Sequence, residues 1–408
     1  MPNESLETLT PLDILSAGSS IQKAAEAMRR HLGMAVAYVS EFVGDLSVFR
    51  AVDAPGLESV IKPGDAKSLD DVFCRHILAG RLPELMPDVS AIPFAMTCPI
   101  MQEVPIGSHM SVPIRLQSGE IYGMFCCLSF EKNLSLNERD LNMMRVFADM
   151  AAHQIEDDLQ HRRQSQNLKH QIEVLMTERK FQNVFQPICD IATGKPLGYE
   201  TLCRFQTDPY RSPDQWFKDA DSVGLGLALE QAVLAEAMRV SKDLPQDVYL
   251  SINASPELLT SNWLLDEISR FQGRSILVEV TEHVAVSDYG LIQASIARLR
   301  AIGAKIAVDD AGAGYSGLQH ILQLQPDIIK LDNSLVRNID TDAASRSLLA
   351  ALIFFARETD CGIVAEGIET DAQRVILQSL GVTKGQGYFL GRPMSLDAAQ
   401  QFTKALVA

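Results

Sequence analysis

Residues 304–317 read AKIAVDDAGAGYSG, and this stretch shows most directly how the C-terminal half folds. Its apolar run, Ile306 to Val308, is typical of a buried strand, and the adjacent carboxylates of Asp309 and Asp310 follow where that strand is expected to end. Two like charges at this spacing cost free energy unless a cation lies between them or one of them takes up a proton. An isolated pair could also be a solvated turn, so the choice depends on the surrounding residues.

A regular alternation of strand-like pieces and amphipathic helical segments runs from residue 181 to the end of the chain. This order predicts an α/β fold, a TIM-like (β/α)8 barrel. The eight strand-like pieces are VFQPICDI, GYETLCRF, VYLSINA, ILVEVTE, KIAVDDAG, IIKLD, GIVAEGIE and KGQGYFLG.

Polar residues recur where these pieces end. The C-terminal ends of barrel strands converge on one face, so the acids would repel one another strongly without bound cations. They are accompanied by amides and a lysine, and the set comprises Glu200, Asn253, Glu279, Glu282, Asp309, Asp310, Lys330, Asp332, Glu366, Glu369 and Gln386. The concentration of acids predicts a metal site.

The ligand type narrows the choice of metal. The barrel half has only two histidines, His283 and His320, in no metal-binding spacing. Oxygen ligands suit Mg²⁺ or Mn²⁺, and paired ions of this kind hydrolyse phosphodiesters. Asp309 could bridge two ions while Asp310 binds the second.

Two basic residues complete the predicted site. Lys330 would orient or help to deprotonate a water, or stabilise phosphoryl charge. The alternative is an interior salt bridge to Asp332 or Glu366. The planar guanidinium of Arg204 suits a phosphate oxygen.

The N-terminal half predicts a small α+β domain. A helix over 19–34 with Ser19 or Ser20 as its cap precedes two hairpins, and a long helix starts after Asn137. That helix is expected to continue to about residue 180. Its Leu168, Ile172 and Leu175 have the spacing of a short coiled-coil seam, although an exposed linker helix fits equally well.

Composition limits the class of protein. The 408 residues exceed a single core, and the net charge of −16 argues against binding polymeric nucleic acid or an anionic membrane surface. Because we find no signal segment or membrane span, and the seven cysteines contain no CxxC pair, we expect a cytoplasmic protein with reduced thiols.

The barrel motifs resemble the EAL domain, the bacterial cyclic di-GMP phosphodiesterase family, over residues 181–408. The family motifs stand here as ETL from Glu200, SINASPELL, EVTE, DDAG, the Lys330–Asp332 pair, EGIE and QGYFLGRP. Residues 1–156 resemble a GAF sensor domain, which leaves 157–180 as a helical linker with coiled-coil spacing. The sequence does not identify the small-molecule ligand of the GAF-like domain.

The resemblance implies hydrolysis of cyclic di-GMP to linear pGpG with two divalent cations, in a homodimer controlled by the GAF-like domain. It implies that Glu200, Asn253, Glu279 and Asp309 hold one ion, and that Asp309, Asp310 and Glu366 hold the second. Lys330 would contact the nucleophilic water and Gln386 would support the site. Arg204 and Gln186 would bind the dinucleotide, and Glu282 would anchor the loop after Asp310.

Several departures from the family pattern bear on activity. The family has Trp where Phe205 stands, which would alter base stacking, and Phe and Thr where Ala311 and Ala313 stand, which would slow or restrict turnover. The first alternative is therefore a catalytically weak or inactive cyclic di-GMP receptor, although no metal-binding acid is missing. The second is an enolase-like Mg²⁺ barrel, which needs fewer acids.

Overall fold

The computed structural model describes residues 18–271, 273–281, 289–311 and 317–407. Glu282 and Ala313 lie outside these ranges, and the side chain of Asp310 is not described either, so the roles expected for them stay predictions. The chain divides into two compact units, one up to Gln164 and one from Ser165. This division falls inside the predicted linker.

The N-terminal unit is an antiparallel sheet with helices. Its strands are β1 (Val36–Val43), β2 (Leu46–Asp53), β3 (Ala66–Ser68), β4 (Leu85–Met86), β5 (Ser108–Arg115) and β6 (Ile121–Ser129). Its helices are α1 (Gly18–Leu32), α2 (Phe73–Leu78), α3 (Ile100–Glu103) and the start of the long α4 (Glu138–Thr177), with short 3₁₀ turns at Val89–Ala91 and Ala95–Thr97.

Both predicted hairpins of this unit are confirmed. The sheet order is β3-β2-β1-β6-β5-β4, and Gly44 makes the first hairpin turn with a φ of 60°, a conformation that favours glycine. One face of the sheet packs on Met28 and Met144, and the other on Phe73 and other buried side chains. The proposed caps were wrong, because Ser19 and Ser20 lie inside α1.

The long helix α4 also confirms a prediction. The Asn137 side chain accepts a hydrogen bond from the backbone N–H of Arg139 at 2.9 Å, which caps its first turn. The structure shows what two residues of its apolar seam contact within the chain, and the intermolecular use of the seam stays a prediction. Ile172 and Leu175 are buried in one cluster with Phe181 and Trp216 of the second unit. The same spacing therefore serves packing within the chain.

The second unit is a closed eight-stranded barrel, as predicted. Its strands are β7 (Phe181–Asp190), β8 (Pro196–Phe205), β9 (Tyr249–Asn253), β10 (Ile276–Thr281), β11 (Lys305–Ala311), β12 (Ile328–Leu331), β13 (Gly362–Ala365) and β14 (Lys384–Gly385). Its helices are α5 (Pro213–Ser222), α6 (Gly226–Ser241), α7 (Pro256–Thr260), α8 (Asn262–Arg270), α9 (Tyr289–Ala301), α10 (Gly317–Leu324), α11 (Asn333–Arg337), α12 (Ala343–Glu358), α13 (Asp371–Ser379) and α14 (Leu396–Val407).

The first barrel connection differs from the expected alternation. β7 runs antiparallel to both β8 and β14, because the segment between β7 and β8 is a tight turn, too short for a parallel crossover. The Asp190 carboxylate accepts from the backbone N–H of Thr193 at 2.8 Å, and Gly194 has a φ of 73°. The remaining strands still aim their C-terminal ends at one face.

The barrel interior is apolar below that face. One buried cluster there comprises Ile188 of β7 and, from β10 to β13, Leu277, Ala307, Ile328 and Val364. In the part of the chain that is described, no helix is long and apolar enough to cross a membrane.

Candidate active site

The predicted polar residues meet at one end of the barrel, around a buried lysine. Lys330 lies on β12 and is 1% exposed. Its ammonium nitrogen is 2.7 Å from Glu279 Oε2 on β10 and 2.6 Å from Glu366 Oε1 after β13. It is also 3.1 Å from Asp309 Oδ1 and 3.5 Å from Glu200 Oε2. The parallel strands thus bring four carboxylates to one cation.

Amides and a hydroxyl hold two of these carboxylates in place. Glu200 accepts from Asn253 Nδ2 at 3.1 Å and from Gln386 Nε2 at 2.7 Å. Glu279 accepts from the Ser251 hydroxyl at 2.5 Å. We did not single out Ser251 from the sequence, although a residue two positions before Asn253 on the same strand must face the same side. These hydrogen bonds orient the carboxylates before any ligand binds.

The cluster carries more negative than positive charge. Burial raises the pKa of Glu279 well above its ordinary value, and the neighbouring Glu200 adds to this. Burial likewise raises the pKa of Glu366 to about 8, against the opposing effect of Lys330. Burial alone would lower the pKa of Lys330, but the carboxylates outweigh it and raise that pKa well above its ordinary value. Lys330 is therefore a stable cation.

Glu200 behaves differently from its neighbours. Burial would raise its pKa, but the charge of Lys330 and the hydrogen bonds from Gln386 and Asn253 outweigh burial and lower it. Glu200 therefore stays ionised while Glu279 and Glu366 are driven towards protonation. Additional positive charge at this site would lower the pKa of Glu279 and Glu366 and favour their ionised forms.

The donor chemistry fits divalent cations. Carboxylate and amide oxygens are the ligands that Mg²⁺ and Mn²⁺ prefer, and two buried oxygens, Asp309 Oδ1 and Gln386 Oε1, accept no hydrogen bond from described residues. Lys330 reaches Asp309 Oδ1 at ion-pair distance only. No group of three or more acidic, histidine or cysteine side chains among the described residues is arranged to hold a metal as it stands, because these carboxylates face Lys330.

A cavity of about 620 Å³ adjoins the cluster. Asn253 and Arg204 line it together with the aromatic rings of Tyr210 and Phe217. Phe205, which stands where the family has Trp and was expected to alter base stacking, is not among the residues that line this cavity. Its side chain is 3% exposed and packs in the core against Phe181 and Trp216. Strand alternation could have shown this, since Phe205 and Arg204 must face opposite sides of β8.

Glu230 is a cavity residue that we did not predict. Its carboxylate accepts from the backbone N–H and the hydroxyl of Ser255 at 2.7 and 2.6 Å, and burial raises its pKa. It lies inside α6, where the sequence offers only a helical pattern as a signal.

The remaining predicted residues lie around this centre. Gln186 pairs in register with Glu200, and its side chain donates to the backbone oxygen of Gly391 at 3.4 Å. Asp332 accepts from the backbone N–H of Ser334 at 2.9 Å and caps α11. Of the two salt bridges considered for Lys330, the structure shows the one to Glu366.

A closed barrel with carboxylates, amides and a buried lysine at its strand ends defines a class of barrel with an acidic mouth. The chain belongs to the EAL domain family, whose family model matches residues 142–393. The model of the GAF domain matches residues 18–155. The EAL match starts inside α4, earlier than the predicted boundary at 181, although the first barrel strand does begin at Phe181.

Two curated relatives each match about half of the chain. Over 231 residues the chain is 32% identical to a cyclic di-GMP phosphodiesterase of Pseudomonas aeruginosa. This match covers 53% of this chain and 39% of the relative. Over 224 residues the chain is 31% identical to a probable cyclic di-GMP phosphodiesterase of Escherichia coli (52% and 44%). The chain spans about two fifths of the length of the curated relatives it matches.

Solved structures agree with this assignment. The MucR phosphodiesterase in complex with cyclic di-GMP is 27% identical, with a TM-score of 0.52, and the match covers 57% of this chain and 99% of that one. An EAL enzyme bound to cyclic AMP and cyclic di-GMP matches 91% of this chain and 93% of its own, with a TM-score of 0.54. At 18% identity, the second match concerns the fold alone.

Proposed function

We propose that this chain is a metal-dependent phosphodiesterase that hydrolyses cyclic di-GMP to linear pGpG under the control of its N-terminal domain. The observation that carries the proposal is the group of four strand-end carboxylates around Lys330. Of the two relatives described above, one is named a cyclic di-GMP phosphodiesterase and the other a probable one.

Two divalent cations, Mg²⁺ or Mn²⁺, are part of the proposal. Glu200, Asn253, Glu279 and Asp309 would hold the first, and Asp309, Asp310 and Glu366 the second. When bound, such ions lower the pKa of a coordinated water and neutralise phosphoryl charge. Asp309 Oδ1, a buried oxygen that accepts no hydrogen bond from the described residues, supports this assignment, as does the excess of acid over base in the cluster.

Lys330 would act as a hydrogen-bond donor in this reaction. In the metal-free cluster the surrounding carboxylates raise its pKa well above the ordinary value, so its ammonium group carries protons that it can donate. It would orient the attacking water through an N–H and balance charge on the phosphoryl group. Water adds to phosphorus, one P–O bond to a ribose oxygen breaks, and that oxygen takes up a proton.

Substrate would bind in the 620 Å³ cavity. The guanidinium of Arg204 would bind a phosphate oxygen, and the rings of Tyr210 and Phe217 offer flat apolar surfaces to a guanine base. Gln186 would contact the dinucleotide from β7, and Glu282 would anchor the loop after Asp310. The Ala311 and Ala313 substitutions in that loop would slow turnover or restrict it.

Product analysis tests the proposal. Full-length protein is incubated with cyclic di-GMP and Mg²⁺ or Mn²⁺, with EDTA as the control, and the nucleotides are separated. We expect pGpG only with metal. Glu200→Gln should abolish it, whereas Glu358→Gln, at an exposed position ending α12, should not change it. Binding of cyclic di-GMP without pGpG would identify a receptor instead.

A further inference from the structure

A second cavity lies in the N-terminal unit, where hydrolysis does not need one. Its volume is about 460 Å³, within the range of small-molecule sites. Val36 and Tyr38 of β1 and His109 of β5 line one side of it. Leu57 and Ile61, which follow β2, line it as well.

Most of the wall of this cavity is apolar. Phe49, Val72, Phe73, Ile106 and Leu128 line it and are each less than 9% exposed. Two further lining residues, Val60 and Phe130, are 71% and 42% exposed. Apolar side chains are normally buried when they can be, so this surface favours a ligand that covers it.

One polar side chain forms part of this mainly apolar wall. His109 is 2% exposed, its ring meets that of Phe73 edge-on with centroids 5.1 Å apart, and its Nδ1 has no hydrogen-bond partner among the described residues. Burial lowers the pKa of His109 to about 3, so the ring is neutral at physiological pH. Polar atoms that are buried without partners are costly, and a ligand group that hydrogen-bonds the imidazole ring would offset part of that cost.

The charges of the lining disfavour an anion. Its described charged residues are Asp65, Lys67 and Glu103. Lys67 forms an ion pair with Glu103, and Asp65 accepts from the backbone N–H of Lys62 at 3.0 Å. Among the described residues that line the cavity there is no arginine. A phosphate or carboxylate would therefore find no unpaired cation there and would be repelled by Asp65.

We propose that this cavity binds an uncharged, mainly apolar small molecule that presents one hydroxyl, carbonyl or amide group to the imidazole ring of His109. Control of hydrolysis by such a molecule rests on the proposed function. The binding itself does not.

Three naphthalenes of similar size test separately whether the ligand must be uncharged and whether it needs a hydrogen-bonding group. Full-length protein is titrated with 1-naphthol, which is neutral and has one hydroxyl, with 1-methylnaphthalene, which has none, and with anionic 1-naphthyl phosphate. Fluorescence anisotropy of the ring reports binding without cyclic di-GMP or metal. We expect 1-naphthol to bind about tenfold more tightly than either of the others, the effect of one additional hydrogen bond.

Variants locate the site. Val104→Trp should fill the cavity, which Val104 lines from a half-buried position, and abolish binding of both neutral probes. Val146→Trp places the same substitution at a 57% exposed position of α4 outside the cavity lining and should change neither affinity. His109→Phe should lower the affinity for 1-naphthol to that for 1-methylnaphthalene. In His109→Gln, part of the difference in affinity between the two probes should remain. Circular dichroism checks that each variant is folded.

The outcomes are distinct. Tighter binding of 1-naphthyl phosphate or of a cyclic nucleotide would overturn the neutral ligand class. No binding of any probe by the wild type, or unchanged binding in Val104→Trp, would overturn the site. If the probes bind as expected but no pGpG forms in the hydrolysis assay, the phosphodiesterase proposal fails and the ligand site stands.

Discussion

The ammonium group of Lys330 lies within 3.5 Å of four carboxylates, so it is both a candidate water-orienting group and the cation that allows these acids to be buried. Removing one partner of a buried ionic cluster leaves uncompensated charge, at a cost of about 3–5 kcal/mol. The same residue thus connects catalysis with the stability of the barrel. A substitution at this position has to be interpreted through both effects.

Lys330→Met tests this double role. The methionine keeps most of the apolar volume and removes the charge, so in EDTA we expect the free energy of unfolding to fall by about 3–5 kcal/mol. Mg²⁺ or Mn²⁺ should restore part of it, because the freed carboxylates can then bind cations. Thermal unfolding with and without metal measures this, beside pGpG formation, which should be lost. Lys218→Met, at an exposed site on α5, is the control. A variant as stable in EDTA as the wild type would contradict the buried cluster.

His109 predicts a pH dependence of stability. Burial lowers its folded pKa to about 3, whereas an unfolded histidine has a pKa of about 6.5. The unfolded chain therefore takes up a proton that the folded one does not. The stabilising contribution is complete above pH 6.5 and is lost as pH falls towards 3, by up to about 1.4 kcal/mol per pH unit.

Calorimetry of the full chain between pH 7.5 and 4.5, values that bracket the unfolded pKa of about 6.5, checks this prediction. His109→Gln should lose stability on acidification less steeply than the wild type. His31→Gln, which replaces an exposed histidine of α1, should follow the wild type. Parallel curves for wild type and His109→Gln would mean that His109 is not buried in neutral form.

The helix α4 shows where element-level reasoning reached its limit. Its length and its Asn137 cap could be predicted from local sequence, because capping and helical periodicity are local properties. The partner of its apolar face could not be, because Ile172 and Leu175 have a spacing that suits a second helix or the chain's own barrel equally well. The structure places both in one cluster with Trp216. These two side chains therefore no longer argue for a homodimer, which stays a prediction.

Leu175→Lys distinguishes the two uses of the helix. Leu175 is 3% exposed, so a charge there should destabilise the barrel by on the order of 3 kcal/mol. Fluorescence of Trp216 and Trp263 reports unfolding of that unit. Val146→Lys, at a 57% exposed position of the same helix, should change stability by less than about 0.5 kcal/mol. If Leu175→Lys instead turns a dimer into a stable monomer in light scattering, the seam is intermolecular after all.

The barrel as a whole was predictable because its signals repeat. Eight strand-like pieces with polar ends imply one convergent face, whatever the details of each loop. Two features depended on three-dimensional arrangement and were missed. The Lys330 ammonium pairs with Glu200, Glu279 and Asp309 as well as with the expected Glu366, and Tyr210 and Phe217, rather than Phe205, line the neighbouring cavity. Side-chain direction across strands and loops decides such features, and sequence spacing reports it only within a single strand.

Control of hydrolysis by the N-terminal cavity makes a prediction about the whole molecule. A ligand can change the barrel only by binding two states of the protein with different affinity, and such coupling is reciprocal. With metal removed by EDTA, the factor by which 1-naphthol changes the Kd for cyclic di-GMP must equal the factor by which cyclic di-GMP changes the Kd for 1-naphthol.

We expect a factor of roughly 5 to 150 in both titrations, the range of typical allosteric coupling. Val104→Trp, with its cavity filled, should bind cyclic di-GMP with an affinity that 1-naphthol no longer alters. Two independent Kd values, each unchanged by the other ligand, would show that the cavity and the barrel are separate sites on one chain. Regulation would then have to act through another feature of the N-terminal unit, because a ligand with equal affinity for both states shifts neither of them.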